Sequence, residues 1–212
     1  MINFLLGLIL FIAVPEKEDS CFFEGRIDLV EKSYYDTTYY TYLIKDKKLR
    51  VNKFDHHYKL IQSILVNLEN EQVVILSPSK KLFSYLDFDP ARGTDDKDFT
   101  VKKTDNSRQV EGKECYQWRV KNKNMNTEVA FWVSEENPLV CFPDFIKLLN
   151  CSERTFSFFE IIPDAHGFFP MLTVERTLLR KEKRRIVITK INHQEINNQT
   201  FEIPHDFEEV EN

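Results

Sequence analysis

The chain carries four cysteines, Cys21, Cys115, Cys141 and Cys151, whose chemistry depends on where it folds. An even number of cysteines in an exported protein favours disulfides. Cys141 and Cys151 flank a short predicted helix, so a local disulfide between them is one interpretation, and buried thiols that pack as small apolar side chains are the other. The spacing matches no CxxC zinc or redox pair. We therefore predict no metal site.

The histidines and the remaining nucleophiles give little sign of catalysis. His56 and His57 are consecutive in an extended segment, so they point to opposite faces, and only one of them can serve a given site. The sequence contains no GxSxG, HExxH, P-loop or GxGxxG motif. Cys115 lies in a predicted strand, where a cysteine of an exported chain is usually buried or paired. We expect a protein that is not an enzyme and that needs no cofactor.

The charge balance argues against a nucleic-acid partner. The chain has 212 residues and a formal net charge of −5, whereas nucleic-acid-binding proteins usually carry a basic stripe that displaces phosphate counterions. The only basic cluster is RKEKRR, from Arg180 to Arg185, which is typical of a charged hairpin tip.

The N-terminal segment predicts export. Ile2 to Val14 form an apolar run that is followed by Pro15 and a polar stretch. This run is too short to cross a hydrocarbon core of roughly 30 Å as a helix, but it suits the apolar region of a secretory signal. We interpret residues 1–20 as a signal segment, with an uncleaved membrane anchor and a buried N-terminal helix as alternatives. Export would place the protein in the periplasm, in the cell envelope or outside the cell, and only an uncleaved leader would contact a membrane.

Residues 21–212 are predicted to form a single, mainly β domain. Period-two alternation recurs from Phe22 to Phe207, and 18 Phe and 8 Tyr supply apolar surface for a core. Asp144 is positioned to cap a short helix that ends at Leu149. The clearest strands, each bounded by turn residues, are Ile64 to Leu68, Val73 to Leu76, Leu82 to Phe88, Val110 to Lys121, Thr127 to Ser134, Thr173 to Leu179, Ile186 to Ile191 and a closing strand from Phe201 to Pro204.

Three signatures occur in order: ILVNLENEQVVILSPSKKLFSYLDF, VEGKECYQWRVKNKNMNTEVAFWVSEE and TFEIP. Together they resemble a family of envelope proteins of unassigned function whose fold is similar to that of the LolA and LolB lipoprotein carriers. In that family a Gly and a following Cys open a strand, and the next strand ends in Trp-Val and a polar residue. Gly112, Cys115 and Trp132-Val133-Ser134 match this pattern. Lys113 departs from it, and the region from Pro138 to Pro170 matches nothing in the family.

The resemblance implies a single antiparallel sheet curled into a LolA-like half-barrel, with short helices and loops as a lid over an apolar concave face. Such a face would receive a lipid, an acylated protein or another hydrophobic ligand. The candidate ligand-binding residues on it are Phe23, Ile27, Leu29, Tyr40, Tyr42, Ile75, Phe83, Tyr85, Trp118, Phe131 and Val133. The candidate lid residues are Phe156, Phe158, Phe159, Phe168 and Phe169.

Both sets have a simpler interpretation, because any sheet must bury one face and ordinary core packing needs the same residues. Two hypotheses therefore remain open. In the first, the protein is a non-catalytic carrier whose partner is a hydrophobic ligand or a lipoprotein. In the second, it is an envelope structural or protein-interaction module with a filled core, which binds an envelope protein partner through an exposed edge strand or the Phe-rich loop.

Overall fold

The computed structural model describes residues 23–86, 98–136, 141–149, 158–163 and 168–210. Within these ranges twelve strands form one open sheet in the order β12-β6-β5-β4-β3-β2-β1-β11-β10-β9-β8-β7. The strands are β1 (Gly25–Ser33), β2 (Thr37–Lys45), β3 (Lys48–Phe54), β4 (Leu60–Asn67), β5 (Gln72–Ser77), β6 (Leu82–Leu86), β7 (Phe99–Val110), β8 (Lys113–Asn122), β9 (Thr127–Ser134), β10 (Phe169–Arg176), β11 (Glu182–His193) and β12 (Glu208–Glu209). The predicted fold class, a mainly β chain with one largely antiparallel sheet and few short helices, is confirmed.

Neighbouring strands are antiparallel except at one edge, where β12 runs parallel to β6. Strands β1 and β11 join the two halves of the sheet, and Gly25 permits their close approach. A Cβ atom at Gly25 would lie 2.1 Å from the carbonyl oxygen of Asn192, so no larger residue fits without a shift of the backbone. Gly112, in the turn between β7 and β8, has a φ of 73°, a conformation that favours glycine.

One helix, α1 (Phe142–Leu149), lies on the inner face of the sheet and buries six of its eight residues. Residues 158–160 form a further helical turn, in which Phe158 and Phe159 are buried. These two segments and the inner-facing side chains of the sheet make up the main hydrophobic core. The helix predicted from Asp144 to Leu149 is thus present and begins two residues earlier.

A second, smaller core lies on the outer face. It consists of Leu65, Val74 and Leu76, against which Ile203 and Phe207 of the C-terminal segment pack. The closing strand predicted from Phe201 to Pro204 is wrong, because Asn198–Phe201 forms a 3-10 turn. The last strand is instead β12, at one edge of the sheet, in the stretch that the sequence pattern indicated as an acidic tail.

Candidate functional site

The inner face is built from alternate residues of successive strands. The register pairs Ile27 with Tyr42, Tyr42 with Val51, Val51 with Ile64 and Ile64 with Ile75, which gives one continuous apolar row. The next inward row, nearer the β1–β2 turn, pairs Leu29 with Tyr40, Tyr40 with Lys53 and Lys53 with Gln62. Because side chains alternate between faces, both rows point to the same side of the sheet.

One half of this face, over β7 to β10, is filled by the protein's own aromatic side chains. The ring centroid of Phe131 lies 5.3 Å from that of Phe159, and Phe142 lies 4.9 Å from Phe169. Trp118 packs against Phe168 at 6.1 Å. We call this region, with the rings of α1 and of residues 158–159, the filled half. Its edge-to-face ring contacts are those of an ordinary close-packed core.

The other half, over β1 to β5, contains a recess of about 260 Å³. This volume is just below the range of about 300–1,000 Å³ that is common for small-molecule pockets. It suits a slender ligand better than a bulky one. The recess, which we call the open half, is lined by Leu29, Glu31, Tyr40, Tyr42, Val51, Lys53, Gln62, Ile64, Ile75, Leu149 and Ile186.

The polar members of the lining lie at the end of the recess nearest the β1–β2 turn. Glu31 accepts a hydrogen bond from the Tyr40 hydroxyl at 3.2 Å and pairs with Arg184 at 3.5 Å. The Lys53 ammonium lies 5.8 Å from the centroid of the Tyr40 ring, and among the described residues it has no ion-pair partner. The recess therefore has an apolar floor and one polar margin, which is the arrangement that an amphiphile requires.

A small void lies between the two halves. A void of about 30 Å³ lies beside the recess and shares Leu29, Tyr42 and Ile186 with it. The far side of the void is formed by Phe142 and Phe159 of the filled half.

The structure places nine of the eleven predicted ligand-binding residues on the inner side. Leu29, Tyr40, Tyr42 and Ile75 line the recess. Phe23 and Ile27 are buried in the main core beside the recess, and Phe131, Val133 and Trp118 belong to the filled half. Whether any of them binds a ligand stays a prediction.

Phe83 and Tyr85 require a correction, because they lie on the outer face. Ile75 pairs with Ser84, so Ser84 faces inward, whereas Phe83 pairs with Leu76 and belongs to the outer core. The four-residue turn at 78–81 sets this register, and a shift of one residue reverses the faces.

The sequence did not single out Val51, Lys53, Gln62, Ile64 and Ile186 as lining residues. Each of them is paired, in the strand register, with another residue that faces inward. The strand register would have identified them, but the sequence alone does not give it.

The four candidate lid residues that the structure describes are part of the core or pack against it. Phe158, Phe159 and Phe169 are at most 2% exposed, so they do not form a loose cover over an empty hollow, and Phe168 is half-buried against Trp118. Phe156 lies outside the described residues. Phe158, Phe159 and Phe169 thus help to fill one half of the concave face, as the hypothesis of a filled core requires, and the other half contains the recess.

The described cysteines differ in state. Cys141, immediately before α1, is disulfide-bonded, whereas Cys115 is free and fully buried. Cys21 and Cys151 lie outside the described residues, so the Cys141–Cys151 pairing stays a prediction. Burial raises the pKa of the Cys115 thiol, which disfavours the reactive thiolate.

Metal-binding side chains do not cluster in the described ranges, where no group of three or more His, Cys, Asp or Glu is placed to hold a metal ion. His56 approaches one carboxylate, that of Asp36, at 3.7 Å. No helix in the same ranges has the length and apolar character that crossing a membrane would need.

Comparison with known protein families shows which family the chain belongs to. Residues 23–207 match the family described as a domain of unknown function, DUF4412. The chain belongs to the DUF4412 family. No curated protein matches the sequence. Membership in a family of unassigned function, together with the observed sheet, agrees with the resemblance to LolA-like envelope proteins of unassigned function.

Several solved structures are similar to this DUF4412 protein. An uncharacterized conserved protein from Thermus thermophilus has a TM-score of 0.55 at 5% identity, over 88% of this chain and 90% of that one. MucB in complex with MucA(peri) has a TM-score of 0.50 at 8% identity, over 87% of this chain but only 55% of that one. A putative outer membrane lipoprotein-sorting protein domain from Vibrio parahaemolyticus has a TM-score of 0.35 at 6% identity, over 84% and 87% of the two chains. At identities this low, the first two similarities show a shared fold alone.

Proposed function

We propose that this DUF4412 protein is an exported, non-catalytic binding protein that holds one slender apolar chain, such as the acyl chain of a lipid or lipoprotein, in the open half. The observation that carries the proposal is the recess of about 260 Å³, which has an apolar floor and a polar margin at one end. An acyl chain placed there would leave its polar head near Glu31, Lys53 and Gln62. The periplasm or cell envelope is the proposed location, supported by the apolar leader Ile2 to Val14 and by the disulfide at Cys141.

Apolar burial is sufficient to drive such binding. Each methylene removed from water contributes about 0.8 kcal/mol, so a chain of about six buried methylenes would contribute about 5 kcal/mol before the entropic costs of binding. No covalent step is needed. The free thiol Cys115 is enclosed in the core, away from the recess lining, which is consistent with binding without catalysis.

A substitution that fills the recess tests the proposal. Ile64→Phe adds a ring to the lining, whereas Leu43→Phe makes a similar change on the outer face, because Leu43 lies between the inward residues Tyr42 and Ile44. We expect the parent protein and Leu43→Phe to take up a fluorescent fatty-acid probe saturably, and Ile64→Phe to lose at least about tenfold in affinity, or about 1.4 kcal/mol. Thermal unfolding of all three would confirm that they are folded. If the folded parent shows no saturable uptake, the proposal fails.

A protein-interaction module is the second candidate, and the exposed edge of the sheet favours it. β7 is a twelve-residue edge strand, and nearly all of its residues beyond Val101 are exposed or half-buried. An extended peptide could add to such an edge through main-chain hydrogen bonds. The solved complex of MucB with MucA(peri) supports a protein partner in general terms. In this case the folded parent would bind no probe, and a proline at Lys102 would abolish partner binding.

A further inference from the structure

In the described ranges five hairpin turns lie at one end of the sheet, and the turn at residues 78–81 carries none of the exposed large hydrophobic residues. The other four contact one another, and we call them the turn rim: residues 33–36, 55–59, 123–126 and 177–181. They join β1 to β2, β3 to β4, β8 to β9 and β10 to β11. The antiparallel register places all four at the same end, since Ser33 pairs with Arg184 and Arg176 pairs with Glu128. We propose that the turn rim is a docking surface for an anionic lipid bilayer.

Exposed apolar side chains are concentrated at this end. Nine large hydrophobic residues are exposed in the described part of the chain. Six of them lie on the turn rim, and a seventh, Ile61, is the second residue of the adjoining strand β4. Tyr35 and Leu179 are 92% and 91% exposed. Clustered exposure of this kind marks an interaction surface, and tyrosine rings are favoured where a membrane meets water. The seven are Tyr34, Tyr35, Tyr58, Ile61, Met125, Leu178 and Leu179.

The turns contact one another and so form one continuous surface. The ammonium of Lys181 lies 5.6 Å from the centroid of the Tyr34 ring, which links the β10–β11 turn to the β1–β2 turn. The backbone N–H of Leu178 donates a hydrogen bond of 3.3 Å to Asn126, which links the β10–β11 turn to the β8–β9 turn. A third link, to the β3–β4 turn, is the 3.7 Å approach of His56 to Asp36. A bilayer would therefore meet one connected surface and not four separate turns.

The charge of the turn rim is opposite to that of the whole chain. The carboxylates within the four turns are Asp36 and Asp55, and Asp98 adjoins them by accepting a hydrogen bond of 2.6 Å from Asn124. Four cations outnumber them, although the chain as a whole has a net charge of −5. The four are Lys59, Lys123, Arg180 and Lys181.

The turns at the opposite end of the sheet differ from the turn rim both in charge and in exposed apolar side chains. Residues 46–47, 68–71 and 111–112 carry four carboxylates and one cation, Lys47, and none of the exposed large hydrophobic residues lies in them. An anionic surface would therefore attract the turn rim and repel the other end, which orients the molecule before any apolar contact forms. This polarity is the reason to propose a lipid surface of negative charge.

Vesicle flotation of the full chain tests the inference, with vesicles of phosphatidylglycerol mixed with phosphatidylcholine and with vesicles of phosphatidylcholine alone. We expect binding to the anionic vesicles, with a loss of about tenfold in apparent affinity for the double variant Tyr35→Ser and Leu179→Ser, because its two most exposed apolar contacts are gone. Val210→Ser, an exposed apolar residue away from the turn rim, is the control. All variants keep the same N-terminal segment, so binding by that segment alone would not distinguish them.

A charge pair sharpens the test. Lys181→Glu and Lys47→Glu change the net charge equally, at the turn rim and at the opposite end. We expect only Lys181→Glu to weaken binding to anionic vesicles, by about threefold to tenfold. Equal binding of both kinds of vesicle, equal binding by the rim and control variants, or no vesicle binding at all would overturn the inference. The result does not depend on probe uptake in the recess, so either proposal can fail while the other stands.

Discussion

The open half and the filled half belong to the same sheet and are built by the same alternation of side chains, yet among the described residues the recess of about 260 Å³ lies in the open half alone. Over β7 to β10 the ring of Phe159 packs against that of Phe131, and the ring of Phe142 packs against that of Phe159. Over β1 to β5, α1 contributes Leu149 to the lining, from its C-terminal end. The comparison shows that the strands decide which residues face inward, whereas the covering segment decides whether the space they enclose is filled.

The largest expected difference between the halves is in stability. Phe159→Ala removes a ring that is 1% exposed and packed against two other rings, so we expect a loss of about 3–5 kcal/mol in the free energy of unfolding. Ile75→Ala removes a side chain that already borders the recess, so we expect a loss below about 2 kcal/mol. Urea denaturation measures both. Equal losses would mean that the recess is closed in solution.

A smaller effect is expected at the polar margin of the open half. Lys53→Met removes a cation beside the recess, so the protein should lose about fivefold in affinity for a fatty acid, or about 1 kcal/mol. Its affinity for the fatty alcohol of the same length should not change. Competition of each compound against a bound fluorescent probe gives both values. A parallel loss for acid and alcohol would place the head of the ligand elsewhere.

The smallest expected effect is on the pH dependence of stability, and it comes from Glu128 on the outer face of the filled half. Burial opposes ionisation of Glu128, but hydrogen bonds from Arg119 and Lys121 outweigh it, and the pKa of Glu128 is lowered. A lowered pKa in the folded state stabilises the protein above the pKa of the unfolded state, and this stabilisation is lost as the pH falls through the folded value. Glu128→Gln should therefore flatten the acid limb of a stability profile. Urea denaturation of the parent and of Glu128→Gln at a series of pH values measures this effect.

Much of the fold could be predicted from the sequence, because its signals are local. Alternation between polar and apolar residues identified Ile27 and Leu29 as inward residues of one strand, and the Asp144 signal identified α1. The strand from Phe201 to Pro204 was wrong because a short apolar stretch has the same appearance whether it pairs with a strand or packs across the outer core, as Ile203 does. Only tertiary contacts distinguish these two cases.

The site was less predictable than the fold for the same reason. Phe83 and Tyr85 have the aromatic character of lining residues, but the length of the turn at residues 78–81 places them on the outer face. Lys53 gave no signal, because a lysine in a strand usually points to solvent. The division of the concave face into two halves depends on how far α1 reaches across the sheet, and no local pattern encodes that distance.

The short strand β12 has a consequence for the behaviour of the protein in solution. By pairing with Leu82 and Phe83, it occupies part of an edge that would otherwise offer unpaired main-chain groups to a second molecule. Removal of residues 207–212 would bare that edge and uncover Leu76 and Phe83 behind it, so the shortened protein should form fibrils or precipitate at concentrations where the parent stays dispersed. We therefore expect the pairing of Glu208 and Glu209 with β6 to protect the protein against self-association.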